Sequence, residues 1–267
     1  MNTIAALLLL SLTQETPVCV DDRLEMQLVA KEPRIVTPTG MAVDAQGRVW
    51  VIESNTHFPP KDYRGHPTAR ILVFEDFGPD GAAGKITTFA EGFVHGMSLA
   101  FAKNGDLYFA MRSEIIRFRG EERTSIARLI TVGNYPHNGL SGFAFDAAGN
   151  LYFGMGENLG IPWVLAGSDG RKEIGGEGGN IFRCRPDGSG LEKIALGCWN
   201  PFAMAFDARG RLFAVDNDAD SRPPCRLLHV VEGGDYGYRF RNGRKGLHPF
   251  TSWNGELPGT LPMVSGT

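Results

Sequence analysis

The sequence predicts an all-β chain of the β-propeller class, with about four blades present. Three observations carry this. One hairpin pattern occurs four times, its turn glycines recur at intervals of 58, 44 and 61 residues, and no stretch after the first sixteen residues keeps a helical period. Repeats of that size, each holding a hairpin and further short strands, suit propeller blades better than solenoid turns. A β-sandwich is the competing architecture, and it would not predict the same hairpin four times.

The four hairpins read "MAVDAQGRVWVIES" from Met41, "LAFAKNGDLYFAMR" from Leu99, "FAFDAAGNLYFGMG" from Phe143 and "MAFDARGRLFAVDN" from Met204. Apolar residues alternate on both sides of each turn, the period of a strand with one buried face. Gly47, Gly105, Gly149 and Gly210 close the turns, where a positive φ is needed. Asp44, Asp146 and Asp207 open three of them, because aspartate bonds its own backbone two residues on. Further strands are expected near Leu72, Ile116, Phe182 and Leu228. The chain stops at "LPMVSGT", a loop-like stretch. This favours part of a longer propeller over a ring closed by four or five blades, since an unclosed ring leaves strand edges bare.

Ile4–Leu12 is a nine-residue, mostly apolar run. It is too short to span a bilayer and suits the central region of a secretory signal. Residues 1–16 are therefore expected to be a leader, residues 22–267 the propeller domain, and the protein exported to the periplasm or beyond. No later segment could cross a membrane as a helix. Net charge is −3, which gives no basic face for nucleic acid. The four cysteines (Cys19, Cys184, Cys198, Cys225) form no C-x-x-C pair, so zinc-ribbon, thioredoxin-type and c-type haem sites are excluded within this chain. A disulfide and unpaired buried thiols both remain open.

Loops between blades meet at one end of a propeller, so residues that precede the hairpins can converge there. His137, six residues before Phe143, is a candidate general base, as neutral imidazole is near pH 7. Taken alone it also reads as an ordinary loop histidine. The corresponding loop of the next blade, "GCWNPFAMAF", offers Asn200 to orient a ligand and Trp199 to stack on a flat ring or sugar face, with a turn asparagine before Pro201 and a packed tryptophan as the alternative. "VDNDADSR" places Asp216, Asp218 and Asp220 two apart around Asn217, a density of oxygen that suits Ca²⁺. It is not an EF-hand, and a solvated acidic loop is the alternative. "GGEGGN" at 175–180 lacks the lysine and helix of a phosphate loop and reads as a flexible connector. "GLSGF" around Ser141 is not a nucleophile elbow.

Taken together, "PHNGLSGFAFDAAGNLYFGMGENLG", "GGNIFRCRPDGSGLE", "GCWNPFAMAFDARGRLFAVDND" and "LLHVVEGGDYGY" resemble the soluble quinoprotein glucose/sorbosone dehydrogenase superfamily. "DSRPPCRLLHVVEGGDYGYRFRNGRKGLHPF" is similar to the membrane-bound dehydrogenases of planctomycetes and verrucomicrobia. The resemblance runs over roughly residues 25–267. It implies a six-bladed propeller carrying pyrroloquinoline quinone (PQQ) and Ca²⁺ over its channel, a sugar or alcohol substrate, and a haem-containing electron acceptor. His137 matches the family's catalytic base, which takes the substrate hydroxyl proton while hydride passes to the quinone. Asn200 matches the asparagine of an Arg-Asn pair that holds the quinone, and Trp199 replaces the arginine. Asn217, Asp218 and Ala219 fall on the quinone- and calcium-contacting loop. A Ca²⁺-dependent lactonase, with Asn200 and Asp216 or Asp218 on the metal, and a non-catalytic carbohydrate- or partner-binding propeller are the alternatives.

Overall fold

A computed structural model describes residues 18–55, 59–135, 138–217 and 225–242, and the backbone pairing of 262–265. The expected leader therefore lies outside the described residues. The chain is all-β, with one 3₁₀ turn at Phe240–Asn242 and no α-helix among the described residues. No described helix is long and apolar enough to cross a membrane.

Four antiparallel sheets follow one another as propeller blades. Blade 1 is β1 (Pro38–Val43), β2 (Val49–Glu53), β3 (Ala69–Phe77) and β4 (Ala83–Phe93), hydrogen-bonded in that order. Blade 2 is β5 (Gly96–Phe101), β6 (Leu107–Met111), β7 (Glu114–Arg119) and β8 (Glu122–Thr131). Blade 3 starts with β9 (Leu140–Phe145) and β10 (Leu151–Met155). It then sends out a hairpin, β11 (Trp163–Gly167) and β12 (Lys172–Gly175), before β13 (Gly179–Cys184) and β14 (Glu192–Cys198). Blade 4 is β15 (Asn200–Phe206), β16 (Leu212–Asn217), β17 (Arg226–Val230) and β19 (Pro262–Ser265), with the two-residue β18 (Gly234–Asp235) between the last two.

The four recurring hairpins are the two inner strands of each blade: β1–β2, β5–β6, β9–β10 and β15–β16. Their turns close as their sequence requires. Gly47, Gly105, Gly149 and Gly210 have φ of 77°, 86°, 87° and 75°. Asp44 Oδ1 accepts the Gln46 amide at 3.0 Å, and Asp207 Oδ1 accepts the Arg209 amide at 2.9 Å.

One aromatic contact recurs at each blade seam. Trp50 meets Phe101, Tyr108 meets Phe145, and Tyr152 meets Phe206, edge to face with centroids 5.3, 5.1 and 5.1 Å apart. The first ring comes from the second strand of one blade and the second from the innermost strand of the next. Edge-to-face rings place a positive rim on a negative face, so each seam gains direction as well as buried area. The seams hold the apolar core, from Ile52, Ile71 and Phe109 between blades 1 and 2 to Ile181, Ala214 and Leu228 between blades 3 and 4.

Outer strands are shared between blades. The β11–β12 hairpin belongs to blade 3 in sequence but pairs with β8, which widens blade 2 to six strands. From blade 4, β18 pairs in parallel with β14 of blade 3. Blades 3 and 4 thus each cover the outer edge of the blade before them, where bare amides and carbonyls would otherwise invite wrong pairing. The innermost strands β1, β5, β9 and β15 surround a space of about 210 Å³ lined by Met41, Met97, Ser98, Phe143, Phe202 and Met204.

Candidate functional site

The connections that enter each innermost strand, and those that leave each second strand, lie at the same end of the blades. The candidate residues gather there. His137 and Asp218 lie outside the described residues, but their chain neighbours Asn138 and Asn217 are described.

Asn200 opens β15 and faces Asn217, the last residue of β16, in the strand register. Both amides therefore stand at the loop-bearing end of blade 4. The Asn200 side chain is nearly enclosed, at 4% exposure, and a Cβ on Gly156 would come within 2.6 Å of its Oδ1. A glycine there is what admits the amide between blades 3 and 4.

Trp199 is not an open platform. It is 3% exposed and packs edge to face on Tyr238 at 5.2 Å, with Tyr135 at 6.2 Å and tilted. Leu159 and Phe240 complete this cluster. The stacking role expected from the sequence gives way to a packing role, because the apolar indole has four neighbours to bury against.

Asp216 corrects a second expectation. Its carboxylate is fully buried. Oδ2 accepts Arg226 Nη2 at 2.7 Å, and Oδ1 accepts the backbone amides of Trp199 at 3.1 Å and Asn200 at 2.7 Å. Both oxygens are thus committed to a cation and to main chain, so Asp216 acts in this structure as a structural carboxylate. Blade 1 repeats the device at the same position of its second strand. Glu53 Oε2 accepts Arg70 Nε at 2.7 Å, and Oε1 accepts the Val36 amide at 3.1 Å. Glu53 pairs with Arg70, and Asp216 with Arg226, across equivalent strands. In both blades a carboxylate held by an arginine fixes the backbone just before or at the start of the innermost strand. Among the described residues, no group of three or more His, Cys, Asp or Glu side chains could hold a metal ion.

Glu157 is the residue that the sequence reading missed. It follows β10 and is fully buried. Burial raises its pKa above the usual carboxyl value, against the opposing pull of two backbone amides, those of Gly160 and Gly178. The Gly160 amide donates to Oε1 at 2.7 Å and the Gly178 amide to Oε2. "GGEGGN" is therefore not a loose connector: Gly178 anchors Glu157, and Gly179–Asn180 begin β13. The Glu157 amide donates to Trp199 O at 2.7 Å, and its own carbonyl accepts Asn138 Nδ2 at 3.1 Å. Glu157 thus ties the Trp199–Asn200 segment to the chain neighbour of His137. A single acidic residue after a strand has no spacing signature. The signal available was its place at the loop-bearing end of a repeat.

These residues fit a flat, polar organic group in part. The Asn200 and Asn217 amides are in place, and Asn138 Oδ1, on a residue 1% exposed, has no hydrogen-bond partner among the described residues. For Ca²⁺, Asp216 is taken up by Arg226 and two backbone amides, and Asp218 lies outside the described residues.

The comparisons agree on the fold. The PQQ-bound aldose sugar dehydrogenase of Streptomyces coelicolor is 21% identical, covering 86% of this chain and 68% of that one, with a TM-score of 0.57. A glucose dehydrogenase is 14% identical over 84% of this chain and 70% of its own, at 0.53. A gluconolactonase from Xanthomonas campestris reaches 16% identity and a TM-score of 0.39, covering 74% of this chain and 63% of its own. That similarity is too loose to support an argument. Identities this low establish a shared propeller architecture and not a shared reaction. No curated protein matches the sequence. The profile of one family, described as a domain of unknown function (DUF7133), matches residues 15–240, and the chain belongs to that family.

Proposed function

We propose that this propeller is a quinoprotein-type dehydrogenase acting on a sugar or alcohol, with PQQ bound over the loop-bearing end. The observation that carries the reading is the junction at Glu157. One buried residue joins the Trp199–Asn200 segment to Asn138, beside the candidate base. Asn200 and Asn217 would hold the quinone through their amides. The bound quinone would supply a two-electron hydride acceptor. His137, as neutral imidazole, would take the hydroxyl proton of the substrate. Glu157 is a positioning residue, because it fixes the segments on either side and leaves its carboxylate on the Gly160 and Gly178 amides. Asp218 is the remaining carboxylate proposed for Ca²⁺. Export through the leader and onward transfer to a haem-containing acceptor belong to the same proposal.

A non-catalytic binding propeller is the second reading. One observation favours it: Asp216, a carboxylate expected to hold the metal, is closed off by Arg226. The same closure weakens the lactonase alternative.

Titration of the purified chain with PQQ, with and without Ca²⁺, followed by tryptophan fluorescence and thermal unfolding, separates these readings. A ligand that binds the folded state raises its melting temperature. His137→Ala should keep the shift and lose turnover of sugars and alcohols. Wild-type turnover in that variant would sink His137 as the base, and no PQQ shift in the parent protein would sink the quinoprotein reading.

A further inference from the structure

One blade before the Glu157 junction, at the same end, a cavity of about 500 Å³ opens along blades 1 and 2. Its walls include Phe93, His95, Arg112, Glu114 and Asn134, so three separate loops supply polar groups to it. Pockets that combine an apolar wall with a few converging polar groups are the usual form of small-molecule sites.

Arg112 and Glu114 both line this cavity, and they differ in what partners them. Arg112 Nε donates to Tyr135 O at 2.9 Å, and Nη2 donates to Gly133 O at 2.7 Å and Asn158 Oδ1 at 3.3 Å. Each of these acceptors is uncharged. Burial pulls the Arg112 pKa below the usual guanidinium value. Glu114 lines the same space, but its Oε1 accepts Arg128 Nη2 at 3.0 Å and Ser125 Oγ at 2.7 Å. A half-buried cation that rests on carbonyl and amide oxygens keeps its net charge, and an incoming anion would offset the cost of burying it.

His95 adds a second, independent feature. Its φ is +53°, in the left-handed region that non-glycine residues adopt at a cost. Its carbonyl accepts the Arg112 amide at 3.1 Å, so the strained residue and the cation are fastened together on one wall.

We propose that this cavity is a subsite for the carboxylate of an acidic sugar, a uronic or aldonic acid, with Arg112 as the counter-charge and His95 and Asn134 facing the hydroxyls. The inference rests on the sugar-oxidising reading above and names its substrate class. Only two residues, Tyr135 and Pro136, separate Asn134 from His137 in the chain, so three chain steps span at most ~11 Å. An acid group in the cavity and a reacting hydroxyl near His137 can therefore belong to one small molecule.

The test is calorimetric titration of the purified chain with glucuronate, gluconate and glucose, with acetate as the control for a bare carboxylate and PQQ titrated in parallel. Glucuronate or gluconate should bind about tenfold or more tighter than glucose, as expected of a charge-assisted contact. That preference should shrink as NaCl is raised. Arg112→Gln should abolish it. Arg112 also supports the 133–135 loop, so Asn134→Asp is the second variant. It places a negative charge on an exposed wall residue, and it should erase the preference without lowering the melting temperature. Equal binding of glucose and the sugar acids, binding of none of them, or a preference that survives both variants would overturn the subsite. Acetate binding as tightly as glucuronate would overturn it too, by reducing the site to a general anion contact. PQQ binding without an acid preference removes the subsite and leaves the quinoprotein reading. An acid preference without PQQ binding does the reverse.

Discussion

Asp216 and Arg226 face each other across adjacent strands of blade 4, with Oδ2 and Nη2 2.7 Å apart and their side chains 0% and 1% exposed. The pair is enclosed on all sides. Arg226 Nη1 also donates to Tyr236 O at 2.9 Å, so the guanidinium links β16 to the segment that carries β18. Asp216 in turn holds the amides of Trp199 and Asn200. Removal of one partner takes from the other the opposite charge that this pair supplies in a buried site. Asp216→Ala should therefore cost about 3–5 kcal/mol in chemical denaturation, and Arg226→Met in the same background should recover part of it. If Asp216 were a metal ligand instead, Asp216→Ala would lower Ca²⁺ affinity with little loss of stability in metal-free protein.

Glu157 makes stability depend on pH. Its folded pKa is raised by burial from the ordinary 4.5. In the window above 4.5 and below the raised value, the folded protein binds more protons than the unfolded chain. Stability then falls as pH rises through that window. Glu157→Gln should flatten this slope in melting curves taken at a series of pH values. It should also lower stability throughout, because a glutamine oxygen cannot serve both the Gly160 and Gly178 amides. An unchanged slope would mean that Glu157 stays ionised in the folded state over this range.

Much of the fold was legible because its signals are local. Alternation, a turn glycine and, in three of the four, a turn aspartate sit within fourteen residues, and each hairpin forms from them. What was not legible is non-local. The partner of the β11–β12 hairpin is β8, more than thirty residues earlier in the chain, and nothing in "VLAGSDGRKEIG" names it. The acid spacing at Asp216 suggested a cation because Arg226, ten residues later, carries no motif. Comparison with blade 1 held the answer: Glu53 precedes Arg70 at equivalent strand positions, and a repeated acid–arginine pair indicates structure, not metal. Trp199 misled in the same way, since a tryptophan before a strand reads alike whether exposed or packed against Tyr238.

The thiols give an independent check on blades 3 and 4. All four cysteines are free. Burial pushes the Cys184 thiol up to about 12 and raises Cys198 well above its usual value. Thiolate is the reactive form, so both should resist alkylation in the native protein. Exposed Cys225 and half-buried Cys19 should react. A disulfide reagent should titrate two thiols in the folded state and four after denaturation. Three or four fast thiols would place blade 3 or 4 in a looser packing than described.

Two glycines of blade 3 should respond unequally to substitution, because they are glycine for different reasons. Gly149 sits at φ 87° in its hairpin turn, with nothing within 4 Å of where a Cβ would stand. Its requirement is backbone conformation, which asparagine tolerates better than other side chains. Gly149→Asn should cost less than about 1 kcal/mol. Gly154 lies inside β10, where a Cβ would overlap Pro201 O and crowd Pro201 Cγ. Its requirement is space, at the seam where Asn200 and Pro201 start blade 4. Gly154→Ala must push β15 away and should cost about 1–3 kcal/mol by the usual penalty for overpacking. Since the displaced residue adjoins Asn200, ligand affinity at the loop-bearing end should fall with it. Denaturation midpoints and PQQ titrations on the two variants test both halves. If Gly154→Ala were as mild as Gly149→Asn, blades 3 and 4 would not meet as closely as the seam requires.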